Sequence, residues 1–162
     1  MQRPSKDEYY LGIAKEVSKR STCLRRRFGA IIVKNDTIVS TGYVGAPRKT
    51  PNCIDLGYCK REELKIKPGE RYELCRSVHA EANAIINAAR SGTSVLGGKM
   101  YVYGENIDGS PIDFEPCKMC KRMIINAGIE EVIINTRDGM KKFKVEDWVK
   151  NEPSWSLRYT HI

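Results

Sequence analysis

Two short stretches constrain this chain more than anything else in it: SVHAEANAI at residues 77–85 and PCKMC at residues 116–120. Each reads as the opening of a helix. Pro116 suits the turn into one, because its ring fixes φ and it has no N–H to leave unpaired. Cys117 and Cys120 then lie one turn apart on one helix face. A helix N-terminus lowers the pKa of a nearby thiol, and the thiolate is the form that binds metal. His79 and Glu81 stand at the start of the other helix. One imidazole and two thiolates make three metal ligands.

Three readings of the paired cysteines compete: a redox couple, a structural zinc knuckle and a catalytic metal site. A redox couple needs no H-x-E on a neighbouring helix. A closed structural site needs a fourth ligand and explains neither Pro116 nor Glu81. A catalytic zinc keeps three protein ligands and leaves its fourth position for water, and Glu81, two residues from His79, can face that water. The six cysteines fit this view. The opening MQRPSKDEYY has no apolar run of the secretory kind, so a reducing, cytoplasmic setting is expected, with thiols used for metal or chemistry. No apolar stretch approaches the ~20 residues of a membrane helix.

At 162 residues the chain is expected to be one domain, residues 1–162. A first helix is predicted from Ser5, where Glu8 completes a capping box and Tyr10, Ile13, Ala14 and Val17 mark one apolar face. FGAIIVKNDTIVSTG reads as a hairpin turning at Lys34-Asn35-Asp36. The pattern then breaks down from Gly42 to about Arg76, a long stretch punctuated by Pro and Gly. A helix over about His79–Arg90, the strand KMYVYG, the turn-rich insert ENIDGSPIDFE, a helix from PCKMC to Ala127 and the buried strand EEVIIN follow, with a short helix around Trp148. A hairpin followed by α-β-α-β predicts a single α/β sheet covered by helices.

H-x-E followed by P-C-x-x-C resembles the general signature of zinc nucleobase deaminases. The chain resembles the cytidine and deoxycytidylate deaminase superfamily, and within it the deoxycytidylate (dCMP) deaminases. The likeness covers about residues 7–136 and includes RRRFGAIIVKND, STGYVGAPR, Asn52-Cys53, SVHAEANAI, GGKMYV and PCKMCKRMIINAGIEEVII. It implies a three-layer α/β/α fold with a five-stranded mixed sheet, one catalytic zinc per subunit, homo-oligomers that are often hexamers, and conversion of dCMP to dUMP with release of ammonia. It places zinc on His79, Cys117 and Cys120 and the proton shuttle on Glu81. Two departures bear on the substrate. The family commonly has GYNG where this chain has GYVG, and Val44 cannot hydrogen-bond a nucleotide through its side chain. The approach to PCxxC is also longer than the usual T-x-x-PC, and the insert at 104–115 falls beside the metal.

The resemblance further implies a second, structural zinc in some members. The matching segments here supply Cys23, Cys53, Cys59 and Cys75, and four thiolates close a tetrahedral site. The plain alternative is four ordinary buried thiols. The net charge of +8 favours an anionic partner. Arg25-Arg26-Arg27, Arg48 and Lys49 are candidates to meet a phosphate, Arg48 foremost because it follows GYVGAP, and solvated surface charge is the alternative for each. Ala80 and Val44 join Arg48 as candidate substrate contacts. Tyr101 and Tyr103 are expected on the sheet rather than under a base, and His161 is expected to be inert. The expected partner is a small-molecule nucleotide, with neither membrane nor nucleic acid. Two rival functions stay open: a deaminase of tRNA adenosine, guanine or free cytidine nucleoside, and a non-catalytic zinc-stapled nucleic-acid-binding module.

Overall fold

The computed structural model describes residues 1–151; His161 lies outside the described residues. Helix α1 spans Lys6–Ser18, and the capping box forms as expected, Ser5 and Glu8 each bonding the other's backbone N–H. The hairpin comprises β1, Arg26–Lys34, and β2, Thr37–Tyr43. Asn35 and Asp36 both take positive φ at its tip, which a right-twisted two-residue turn requires. β3 is Lys99–Asn106, β4 is Glu131–Thr136 and β5 is Gly139–Lys144. The strand order is β2-β1-β3-β4-β5. Among the described residues only β3 and β4 run parallel, so the sheet is mixed, as the resemblance implies.

The sheet is covered on both faces, which is why β1 reads as an unbroken apolar run. Ile31 and Val33 point to one side and pack with Tyr101 and Ile133 under Tyr10, Leu11 and Ala14 of α1. Ala30 and Ile32 point to the other, with Met100, Val102, Val132 and Ile134. That second face carries α4, Ala80–Arg90, and α5, Lys118–Asn126. Three layers result. Tyr101 is buried and its hydroxyl donates to Asp7, a sheet role as expected.

β5 is not visible in the sequence pattern. GMKKFK exposes Lys141, Lys142 and Lys144, the lysine-rich composition by which an edge strand discourages further pairing. The short helix around Trp148 does form: α6, Val145–Asn151, buries Val145 and Trp148. The punctuated stretch holds only α2, Cys53–Leu56, α3, Lys60–Glu63, and a 3-10 turn at Tyr72–Leu74. Among the described residues, no helix is long and apolar enough to cross a membrane.

One glycine fixes where α4 sits. A Cβ at Gly42 would overlap the Ala84 amide and stand 2.6 Å from the Ala80 carbonyl oxygen, so only glycine lets β2 approach the first turns of α4 this closely. The side-chain amides of Asn83 and Asn87 then donate to the Tyr43 and Thr41 carbonyls at 2.8 Å each. These contacts set the position of the His79–Glu81 end of the helix.

Candidate active site

His79 and Cys117 both occupy N-cap positions, of α4 and α5 respectively. The two helix starts meet on one face of the sheet. His79 Nδ1 lies 3.5 Å from Cys117 Sγ and 3.4 Å from Cys120 Sγ. The Cys120 backbone N–H donates to Cys117 Sγ at 3.4 Å, the capping contact of α5. All three donor atoms lie within 4.8 Å of one another. Tetrahedral zinc with ordinary Zn–N and Zn–S bonds separates its nitrogen and sulfur ligands by about 3.6 Å. The donor set and its spacing therefore fit zinc with little movement.

The charges agree. Hydrogen bonding from Cys120, together with His79, pulls the Cys117 thiol well below its ordinary range despite burial. The same bond to Cys117, together with burial, pushes Cys120 up. Burial would lower His79, but the Cys117 hydrogen bond and the charges of Glu81 and Cys117 outweigh it and raise its pKa. Cys117 is thus the thiol most readily deprotonated, and a divalent cation would displace the protons that its neighbours hold. Glu81 is only 6% exposed. Burial pushes its carboxyl up, against the pull of His79.

A cavity opens over this cluster, with His79, Glu81 and Cys117 in its wall beside Val44. Val44 arrives there because Gly45 and Val78 exchange backbone hydrogen bonds at 3.2 and 2.8 Å, tying GYVG to the approach to His79. Phe28, Tyr72 and Phe114 supply aromatic wall, and Arg25 and Arg26 supply charge. Phe28 and Phe114 meet edge to face at 5.1 Å. The insert thus reaches the cavity through Phe114 and Glu115, and Glu115 is braced by Lys121 at 2.9 Å. None of the three aromatic residues was singled out by the sequence: they come from segments far apart, and their meeting is a product of the fold.

Two candidate contacts are not part of the cavity wall. Arg48 does not line the cavity; its guanidinium donates to Asn87 Oδ1 at 2.7 Å on the exposed face of α4. Arg25 and Arg26, from the same basic group, do line the cavity. Ala80 is fully buried in the core against the sheet, so its side chain offers the cavity no surface.

The outer cysteines gather without closing. Cys23, Cys59 and Cys75 line the cavity, while Cys53 is buried with its sulfur 3.8 Å from Ser77 Oγ. Burial raises the Cys75 thiol pKa, and the neighbouring Cys23, Cys53 and Cys59 add to it. Among the described residues, only His79, Cys117 and Cys120 bring three donor atoms within 4.8 Å.

Comparison with known proteins places the whole arrangement. Residues 4–136 match the cytidine and deoxycytidylate deaminase zinc-binding region. A deoxycytidylate deaminase of Schizosaccharomyces pombe is 34% identical over 138 residues, covering 85% of this chain and 39% of the relative. The deoxycytidylate deaminase of Mycobacterium phage D29 is 36% identical over 138 residues, covering 82% of this chain and 96% of the phage protein. The chain thus spans well under half of the fission-yeast relative and nearly all of the phage one. The crystal structure of a dCMP deaminase from cyanophage S-TIM5, in complex with dCMP and dUMP, superposes with a TM-score of 0.61 at 28% identity, covering 83% of this chain and 84% of that one. A cytidine deaminase from Burkholderia pseudomallei shares the fold, with a TM-score of 0.58 at 20% identity over 86% of this chain and 93% of its own. The motif, the donor geometry and a family match that runs through both helix starts lead to one conclusion: this chain belongs to the cytidine and deoxycytidylate deaminase family and carries its zinc-binding region.

Proposed function

We propose that this chain hydrolyses the exocyclic amine of a cytosine deoxynucleotide, converting dCMP to dUMP and ammonia. The observation that carries the reading is the convergence of His79, Cys117 and Cys120 in the wall of a cavity shared with buried Glu81 and with Arg25 and Arg26. Zinc, when bound by the three, supplies a Lewis acid that makes water nucleophilic at neutral pH. Glu81 would take one proton from the water and pass it to the ring nitrogen, then take the second from the hydroxyl left on the ring carbon and pass it to the amine as the C–N bond breaks. Its burial suits the task, because a carboxyl held above its ordinary range is a stronger base than a free one. Phe28, Phe114 and Val44 form apolar wall against which a base can lie. Residues 1–162 act as one such unit, in the cytoplasm.

Arg25 and Arg26 give the phosphate its place. Arg25 is held at the cavity through its Nε–H to Glu62 at 3.0 Å. A charge-assisted contact to phosphate contributes about 1.5–3 kcal/mol, or roughly ten- to a hundredfold. Replacing both by Gln is expected to lower kcat/KM for dCMP by about that factor and to leave deoxycytidine unchanged. If the two substrates fall together, the arginines do not read the phosphate.

A second zinc on Cys23, Cys53, Cys59 and Cys75 belongs to the same reading, supported by three of these thiols lining one cavity with the fourth close behind. It requires the four side chains to draw together and would pin the irregular 42–76 stretch. Elemental analysis of pure protein is expected to find two zinc ions per chain; one zinc with four titratable outer thiols would remove this site. The reading also carries the family's homo-oligomeric state, a hexamer in the expected case, which sedimentation checks: a monomer at working concentration contradicts it.

A further inference from the structure

We propose that Arg61 and Tyr72 are positioning residues that clamp the imidazole of His79, so that zinc retention depends on the irregular 59–75 segment as well as on the helices that carry the ligands. The inference rests on the reading of His79 as a ligand. Three planar groups stack in series. The Tyr72 ring meets the His79 ring edge to face, with centroids 4.9 Å apart at 81°. The Arg61 guanidinium lies over the Tyr72 ring at 4.5 Å. Arg61 is only 5% exposed, and a cation over an aromatic face is attracted more strongly when water is excluded.

Arg61 is also what gives this segment its shape. Between α3 and the turn at Tyr72 there is no helix or strand. Instead Arg61 Nη2 donates to the Lys67 and Glu70 carbonyls at 2.9 and 2.7 Å, closing the loop onto the arginine. Its Nε–H is buried with no hydrogen-bond partner among the described residues, a cost that its carbonyl and ring contacts must offset. So unusual a burial for arginine marks a fixed post. A ring packed edge to face against an imidazole restrains its rotation, and such aromatic pairs contribute roughly two- to tenfold to the equilibrium they favour. Among the described residues, Tyr72 is the aromatic ring packed against His79.

The test follows zinc release from the holoenzyme to a chromophoric chelator, with activity decay read in the same samples. The phase of release that tracks activity loss belongs to the metal on His79. Tyr72→Leu and Arg61→Ala are expected to speed that phase severalfold, by up to about tenfold. Tyr72→Phe, which keeps the ring, is expected to stay within about twofold of the parent. In the Tyr72→Leu background, adding Arg61→Ala is expected to change nothing further, because Arg61 acts through the ring. Release at the parent rate from Tyr72→Leu overturns the clamp, as does full acceleration by Arg61→Ala when Tyr72 is already gone. Should Arg61→Ala fail to fold, the Leu and Phe variants at Tyr72 decide alone. Failure of the ligand reading looks different: Cys117→Ser would then keep the activity-linked zinc.

Discussion

Replacing Cys117 or Cys120 by serine is expected to strip the activity-linked zinc from the chain and to take turnover down to background. A serine hydroxyl stays protonated at neutral pH, so each change removes one of three ligands and leaves His79 with a single thiolate. No other His, Cys, Asp or Glu among the described residues joins this group to take the vacated place. The helix itself should survive the change at its start. Cys117 accepts the Cys120 amide as the N-cap of α5, and Ser, a good N-cap, preserves that contact. Cys117→Ser should therefore fold, and the loss should be chemical rather than structural. Metal analysis that finds unchanged zinc in both variants would sink the ligand assignment.

Glu81→Gln is expected to separate metal from chemistry. The amide matches the carboxylate in shape, so the buried site is not left with a void. It cannot carry a proton, and Glu81 is not among the three converging donors, so zinc content should match the parent. Turnover should fall by about 10²- to 10⁴-fold, the usual contribution of a positioned acid–base group. A Glu81→Gln enzyme within about tenfold of the parent would remove the proton-shuttle role. Zinc lost along with activity would instead make Glu81 a ligand.

The two helix starts were legible because their chemistry is local. His79 with Glu81, and Cys117 with Cys120, each fit within one helical turn, so spacing alone puts them on one face. The hairpin was legible for the same reason, its β-branched arms and Asn-Asp turn lying side by side in sequence. What stayed hidden is what the fold assembles from distance. β5 is held by pairing with β4, whereas its lysines read as solvent-facing chain. Phe28, Tyr72 and Phe114 come from a strand, a 3-10 turn and an insert. Nothing in their neighbours says that they meet. Arg48 shows the converse: proximity to GYVGAP suggested the cavity, but Asn87 on α4 holds its guanidinium outside it. The outer cysteines fall between these cases. Their number suggested a site, while their spacing left the geometry to the fold, which gathers them only partway.

The central claim is that zinc held by His79, Cys117 and Cys120 serves deamination of a cytosine nucleotide, and one side-by-side measurement tests it most directly. Ammonia release by the zinc-loaded chain is followed on dCMP, deoxycytidine, cytosine, guanine and a tRNA anticodon stem-loop, and kcat/KM is compared. The account predicts dCMP foremost, ahead of deoxycytidine by roughly ten- to a hundredfold for the phosphate contact. Val44, which offers a nucleotide no side-chain hydrogen bond, works against this by about 0.5–1.5 kcal/mol, the smaller of the two effects. Equal rates on deoxycytidine and dCMP would contradict the phosphate assignment. A higher value for guanine or the tRNA stem-loop would contradict the substrate itself and point to Val44, Phe114 and Glu115 as the residues that redirect the site.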